Sequence, residues 1–148
     1  MKETWSIIML VSGALLAGGM MPVALERAPA WRDADEDTFR RDFGNTIRRV
    51  DRLQPALLFI TLISAPGFAV TAAGTARTLG SVAAGGLVAV LAGSLAGLVP
   101  LQQRLSNTAT HMPAPDVAQL RSRWLVGHLI RTVVAVVVFV LLAVCAVV

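Results

Sequence analysis

The chain has 148 residues, of which 55 % are hydrophobic and 15 % are charged, and its formal net charge is +4. Because a soluble domain usually carries about 25 % charged residues, this composition excludes a disordered chain and argues against a soluble enzyme. The length allows one domain, residues 1–148, the single cysteine excludes an intrachain disulfide, and the mixing of basic with acidic residues argues against nucleic-acid binding.

Four long apolar segments dominate the sequence, at about residues 4–25, 53–76, 78–101 and 124–148. A membrane-spanning helix needs about 20 apolar residues, whereas a strand of a membrane barrel needs about 10 with alternating polarity. We therefore predict an all-α integral membrane bundle of four spanning helices. The last segment is rich in valine, but its length favours a helix because lipid offers no partner to unpaired backbone groups.

The first segment shares one feature with a secretory signal peptide, since Ala28-Pro29-Ala30 follows it as a cleavage-type sequence. The region before the segment is hardly basic, with Lys2 beside Glu3, and the apolar run is long. We therefore expect a retained spanning helix.

Lysine and arginine are distributed unequally between the predicted loops. The 26–54 loop holds seven and the 104–123 loop holds three, against Lys2 and Arg77 on the opposite side. Because cytoplasmic loops are enriched in basic residues, we predict a multi-pass protein of the cell membrane with both long loops in the cytoplasm and both termini outside.

The 26–54 loop is predicted to contain an amphipathic helix that lies on the membrane surface. Asp33 followed by Glu36 fits a capping box. Phe39, Phe43 and Ile47 recur at helical spacing and would face lipid or the bundle. Such a helix is a connector or, alternatively, a lid over a site, and the sequence leaves these two roles open.

Small residues form a stripe on the third segment, at Gly85, Ala89, Gly93 and Gly97. A stripe of this kind lets two helices approach closely. It predicts tight packing, either inside the bundle or between copies of the chain in a homo-oligomer.

The fourth segment carries the strongest group of reactive side chains. Trp124, His128 and Arg131 are spaced by four and three residues and therefore share one helical face. An arginine that faces lipid at mid-membrane costs about 2.5–3.5 kcal/mol, so we expect Arg131 to point into the bundle. The alternative is an Arg131 side chain that reaches the headgroups, with Trp124 in the aromatic belt.

Other polar residues fall at the same predicted depth as this group, where four helix ends form one candidate pocket; they include Glu26, Gln54, Gln102 and Arg104. His128 is a candidate general base, because an imidazole titrates near neutral pH. Alternatively, His128 and His111 together are candidate ligands for copper or iron.

Several sequence elements at the ends of the segments occur in a recognisable order: Gly19 with Pro22 and Leu25; Val99-Pro100-Leu101-Gln102-Gln103-Arg104-Leu105; and Arg123-Trp124 followed by His128 and Arg131-Thr132. Together they resemble the anthrone-oxygenase-like family of small four-helix membrane proteins, most of which have no assigned role. The resemblance covers nearly the whole chain. The family usually has asparagine at the position of Gln102, so the amide is kept here with a longer reach.

This resemblance implies an activity, since fungal members convert an anthrone to an anthraquinone with dioxygen. It implies a membrane oxidoreductase for a lipophilic aromatic intermediate of natural-product biosynthesis. We expect His128 to exchange the proton, Arg131 to stabilise the anion, Trp124 to stack on the ring and Gln102 to bind a carbonyl, with Glu26 and Arg104 as further substrate-binding residues. Dioxygen is the expected co-substrate, with or without copper or iron. The alternative is a non-catalytic membrane protein that binds a partner membrane protein or a small lipophilic ligand.

Overall fold

The computed structural model describes residues 1–50, 52–107 and 112–148, and these residues form five helices and no strand. The helices are α1 (Lys2–Asp33), α2 (Glu36–Val50), α3 (Gln54–Thr71), α4 (Gly74–Ser106) and α5 (Ala114–Val147). All of them except α2 are long and apolar enough to cross a membrane. The predicted all-α membrane bundle is therefore confirmed, although α1, α4 and α5 are longer than predicted and α3 is shorter.

A tight turn accounts for the early end of α3. Gly74 has a φ of +55°, in the left-handed region that glycine adopts without steric cost. The Arg77 side chain donates hydrogen bonds back to the carbonyls of Ala69 and Val70, in the last turn of α3. An arginine that covers helical carbonyls in this way stabilises the end of a helix.

Both α1 and α4 continue through a proline by forming one π-helical turn, at Val23–Arg27 and at Ser94–Leu98. Pro29 and Pro100 follow these turns by two residues. Because proline has no N–H and its ring crowds the carbonyl four residues earlier, a regular α-helix cannot continue there without strain. The residue before each proline instead bonds to the carbonyl five residues earlier.

The four spanning helices pack through small residues and a buried contact between two hydroxyl groups. Helix α1 lies against α3, where Thr61 Oγ1 and Ser12 Oγ are 2.9 Å apart. Gly80 lies close to the Phe68 ring, and Gly86 lies close to Val138. Small residues at such crossings let membrane helices approach closely, which increases the packing contacts that hold them together.

The connections from α1 to α3 and from α4 to α5 lie at one end of the bundle, which we call the loop end. Helix α2 packs there with its aromatic face buried against the bundle, which is one of the two surfaces predicted for that face. Its buried side chains join those of α1, α4 and α5 in one apolar group, the end cluster, which comprises Val23, Trp31, Phe39, Phe43, Ile47, Leu98, Leu105, Val117, Trp124 and Leu125.

Helix α2 begins two residues later than the predicted capping box. Asp33 is the last residue of α1, and the capping side chain is that of Asp35, whose Oδ1 accepts the backbone N–H of Thr38 at 2.9 Å. This hydrogen bond lowers the pKa of the Asp35 carboxyl below its ordinary value. Glu36 is the first helical residue, and it pairs with Arg40 at 3.8 Å.

The stripe of small residues on α4 lies on the outer surface of the bundle. Gly85, Ala89, Gly93 and Gly97 are all exposed. A Cβ atom added at any of these three glycines would meet nothing within 4 Å. The stripe therefore does not serve the packing of helices within this chain.

We predict that Phe43→Ala destabilises the attachment of α2 more than any change on its outer face. The Phe43 ring is fully buried and lies 4.8 Å from the Trp124 ring and 5.2 Å from the Trp31 ring, measured between centroids. Loss of a buried phenylalanine costs about 3–5 kcal/mol. Thermal unfolding in mild detergent measures this, with Arg41→Ala on the exposed face of α2 as the control. Equal unfolding temperatures for the two variants would contradict the packing described.

Candidate functional site

A buried histidine and an arginine lie one turn apart on α5, at the depth where α1 and α4 form their π-helical turns. Helical spacing places His128 and Arg131 on one face, as predicted, and their side chains meet inside the bundle. Arg131 Nη2 lies 3.0 Å from His128 Nδ1. The guanidinium of Arg131 also reaches Gln54 of α3, whose Oε1 is 3.5 Å from Nη2.

The partners of His128 define which of its nitrogens carries the proton. An arginine donates and never accepts, so Nδ1 accepts from Arg131. His128 Nε2 lies 3.4 Å from the Met20 carbonyl of α1, which only accepts, so the proton is assigned to Nε2. The arrangement holds a neutral imidazole, 1 % exposed, with a cation on one side and a carbonyl on the other.

Trp124 is the third member of the predicted group, and it stacks on His128 rather than facing an open space. The two rings are nearly parallel, with an interplanar angle of 7° and centroids 4.9 Å apart. The edges of Trp124 contact Trp31 and Phe43 in the end cluster. In this structure Trp124 stacks on the imidazole and orients His128, and its stacking on a substrate ring stays a prediction.

Two cavities meet at Arg131. One, which we call the groove, has a volume of about 420 Å³ and lies between α4 and α5. The other, which we call the chamber, has a volume of about 330 Å³ and lies between α1, α3 and α4. Val90, Ser94 and Arg131 line both. Both volumes fall in the range of sites for small organic ligands.

The chamber combines an apolar wall with a few polar side chains. Gln54, Gln102 and Arg131 contribute to its lining, and most of its other lining residues are apolar. Gln54 is 7 % exposed, and its Nε2 has no hydrogen-bond partner among the described residues. A buried N–H without a partner costs about 1–3 kcal/mol, so this amide is poised to donate to an acceptor on a ligand.

The other residues predicted for the site are distributed differently. Gln102 lines the chamber, and its role in substrate binding stays a prediction. Glu26 and Arg104 are exposed and line neither the groove nor the chamber, so the structure does not bring them to Arg131. The prediction for His111 lies outside the described residues.

The described residues do not fit a metal site at His128. No group of three or more His, Cys, Asp or Glu side chains comes together anywhere in the described part of the chain. Both imidazole nitrogens of His128 are already engaged, one of them by a guanidinium. A cation next to Nδ1 repels a second cation, and within residues 1–50, 52–107 and 112–148 no cluster of carboxylate, thiolate or imidazole ligands includes His128.

One part of the site was not predicted from the sequence, and another was placed without a role. Gln54 was assigned to the candidate pocket only by its position at the start of a span. Trp31 packs against Trp124, and its Nε1 donates to Asp42 of α2 at 2.7 Å. The sequence did contain a signal for Trp31. This tryptophan lies eight residues before Phe39 and twelve before Phe43, a spacing that fits one aromatic cluster.

The fold and this geometry define a helical membrane protein in which a buried histidine is paired with a half-buried arginine beside two cavities. The chain belongs to the anthrone oxygenase family, whose model matches residues 43–141, two thirds of its length. Comparison with curated proteins and with solved structures found no match. The matched part contains His128, Arg131, Gln54 and Gln102, so α1 adds only the Met20 carbonyl to the polar contacts of His128.

We predict that Arg121→Met loosens the end cluster next to His128. Arg121 Nη1 donates to the carbonyls of Trp31 and Ala34 at 3.0 and 2.8 Å, and its guanidinium lies over the Phe39 ring. A hydrogen bond from a charged donor contributes about 1.5–3 kcal/mol to the free energy of unfolding.

The measurement is the near-ultraviolet circular dichroism of the tryptophans together with thermal unfolding. The control is Arg32→Met, because Arg32 is exposed near the end of α1. An Arg121→Met spectrum and unfolding temperature equal to those of the wild type would contradict this role.

Proposed function

We propose that this protein is a membrane oxygenase that oxidises a planar, lipid-soluble phenolic substrate of the anthrone type in natural-product biosynthesis. Its membership of the anthrone oxygenase family supports the reaction class. The observation that carries the proposal is the Arg131 guanidinium in the wall of a chamber that is otherwise mostly apolar. Such a wall suits a hydrophobic ring system with one oxygen that becomes anionic.

The chemistry requires an anion and an electron acceptor. An anthrone loses a proton from its central CH₂ group to give a delocalised oxyanion, which is electron-rich enough to be oxidised by dioxygen. The complete reaction converts the CH₂ group and O₂ into a ketone and water, so dioxygen is the co-substrate and takes all four electrons. A preorganised hydrogen-bond donor accelerates the loss of the proton because it stabilises the oxyanion that forms.

Arg131 is the residue that we place on the oxyanion. Its guanidinium lies at the chamber wall, whereas His128 lies behind it and lines neither cavity. Gln54 Nε2 donates to a second oxygen of the substrate, and Gln102 provides another amide on the same wall. A charged donor and a neutral amide together fix the ring system in one orientation.

His128 acts as the base in this proposal only after Arg131 has shifted to the substrate. In the substrate-free geometry Arg131 donates to His128 Nδ1. When Arg131 turns to the oxygen of the substrate, Nδ1 becomes free to accept the proton. The Met20 carbonyl holds Nε2–H throughout and stabilises the imidazolium that results.

The test is anthrone oxidation by the protein in lipid nanodiscs, followed by dioxygen consumption and anthraquinone formation above the spontaneous rate. We expect Arg131→Gln to lower kcat by about 10²–10³-fold, as for loss of an oxyanion donor. We expect His128→Asn to be as inactive as His128→Ala, because the asparagine oxygen can accept from Arg131 but cannot take a proton, and loss of a base costs about 10²–10⁴-fold.

The outcomes separate the roles. Arg49→Gln, on the exposed face of α2, controls for a general loss of charge and should retain full activity. Activity in His128→Asn but not in His128→Ala would make His128 a positioning residue for Arg131 instead of the base. Normal turnover in Arg131→Gln would refute the proposed function. Binding of anthraquinone without any turnover would instead favour the non-catalytic ligand-binding alternative.

We further propose that the protein lies in the cell membrane with α2 in the cytoplasm. The support is the distribution of lysine and arginine: ten of these residues lie in the loops at the loop end, and two lie at the opposite end. In intact cells, an impermeant thiol reagent should label Arg49→Cys only after permeabilisation, and Thr75→Cys at the opposite end without it. Since the native Cys145 is buried, its labelling is the background to subtract. The reverse pattern would refute this orientation.

A further inference from the structure

The chamber opens to the outside of the bundle between α3 and α4. Four of its lining residues are exposed there, and they form the two rims of an opening that we call the mouth: Pro55 and Phe59 of α3, and Leu95 and Gln103 of α4. The lining behind the mouth is buried and includes Leu16, Met20, Gln54, Leu58, Val90 and Ser94. The chamber is therefore enclosed at the back and open on one side.

The polar groups that would hold a ligand lie behind the mouth. Helix α1 packs against α3 and α5, and α4 packs against the same two helices, so the four spanning helices form a ring. The mouth lies across this ring from the contact between α1 and α5, and α5 carries Arg131. Gln54 is buried, and its Nε2 has no partner among the described residues. A ligand with an oxygen on Gln54 or Arg131 therefore has its opposite edge at the mouth.

The chamber also changes in polarity along the membrane normal. On α4, its lining starts nearest the loop end with Gln102 and Gln103, and it ends with Val90 and Leu91. The twelve residues between Gln102 and Val90 correspond to about 18 Å along a helix. An amphiphile in the leaflet on the loop side has this same orientation, with its polar head toward the surface and its apolar part toward the bilayer centre.

The apolar part of the mouth faces hydrocarbon rather than water. Helix α3 has 18 residues, which corresponds to about 27 Å and nearly matches the ~30 Å hydrocarbon core of a bilayer. Phe59 lies five residues inside this span, and the side chains of Phe59 and Leu95 are 51 % and 60 % exposed. An apolar chain that leaves the chamber past these two residues therefore passes into lipid, without exposing apolar surface to water.

We propose that the chamber binds a phenolic ring system that carries a long apolar chain, with the ring inside and the chain extending past Phe59 and Leu95 into the bilayer. The mouth sets no limit on the length of the chain, whereas the buried wall around Gln54 limits substituents on the opposite edge of the ring. The path of the chain requires no movement of Arg131. This inference rests on the proposed function only for the chemistry of the ring.

The test compares two probes on the protein in lipid nanodiscs. One is 1,8-dihydroxyanthraquinone, and the other is the same molecule with a linear octyl chain on ring carbon 3, on the side away from the two hydroxyls. Binding is followed by the circular dichroism that an achiral probe acquires in its visible absorption band when it is held by the protein, so that probe dissolved in lipid gives no signal.

One variant and a matched control probe the mouth. Leu95→Trp narrows the path of the chain. Val88→Trp is the control, because Val88 lies two helical turns from Leu95 on the same face of α4, is 54 % exposed and does not contribute to the chamber lining.

We expect the octyl probe to bind the wild-type protein at least as tightly as the parent probe. In Leu95→Trp, the Kd of the octyl probe should rise by about tenfold or more and that of the parent probe by less than about threefold, because the indole obstructs the chain and leaves the back wall intact. Val88→Trp should match the wild type with both probes. Weaker wild-type binding of the octyl probe than of the parent, an equal effect of Leu95→Trp on the two, or no signal from either probe would overturn the inference.

The same samples distinguish this inference from the proposed function. If Leu95→Trp selectively weakens the octyl probe and anthrone is not oxidised, the path of the chain stands and the oxygenase proposal fails. If anthrone is oxidised and the octyl probe does not bind, the oxygenase proposal stands and the path of the chain is refuted.

Discussion

A guanidinium inside a membrane bundle has to be held by acceptors, and this requirement organises the site. Burial of an unpaired charge in an apolar medium is too costly to persist, and arginine remains protonated under all ordinary conditions. Arg131 therefore needs a neutral imidazole at His128 and an amide oxygen at Gln54. His128 in turn needs an acceptor for its remaining N–H, and α1 supplies the Met20 carbonyl. One charge thus fixes the relative placement of three helices.

The π-helical turns contribute to this placement by changing which face each helix presents. A π-helical turn adds one residue, so side chains beyond it are rotated relative to a regular α-helix. Val23 and Leu98, within the two turns, both enter the end cluster next to Trp124. Glu26 lies within the first turn and is exposed. In α4, Ser94 lines both cavities together with Arg131, while the residues after Pro100 continue toward the loop end.

Features that depend on one helix could be predicted from the sequence, and features that depend on neighbouring helices could not. The spans follow from length and hydropathy, and the shared face of Trp124, His128 and Arg131 follows from helical spacing. The aromatic face of α2 was recognised, but the same pattern fits burial against lipid or against protein. Glu26 and Arg104 were assigned to the site by their depth in the membrane alone. Depth does not determine whether a side chain points into the bundle or away from it. Gln54 was placed at the same depth, but its contact with Arg131 depends on how α3 packs against α5.

The contacts of Arg131 also explain how a site can favour an acidic ligand over a neutral one. In the described geometry Arg131 donates to a neutral nitrogen at 3.0 Å and a neutral oxygen at 3.5 Å. Under the proposed function, an oxyanion in the chamber adds the attraction between opposite charges to its hydrogen bond with the guanidinium, which these two neutral acceptors do not supply. A neutral hydrocarbon offers no such exchange and leaves Arg131 on His128. In the proposed mechanism, one movement of the Arg131 side chain both binds the anion and releases His128 Nδ1. The imidazole would therefore be available as a base only when an acidic substrate is bound.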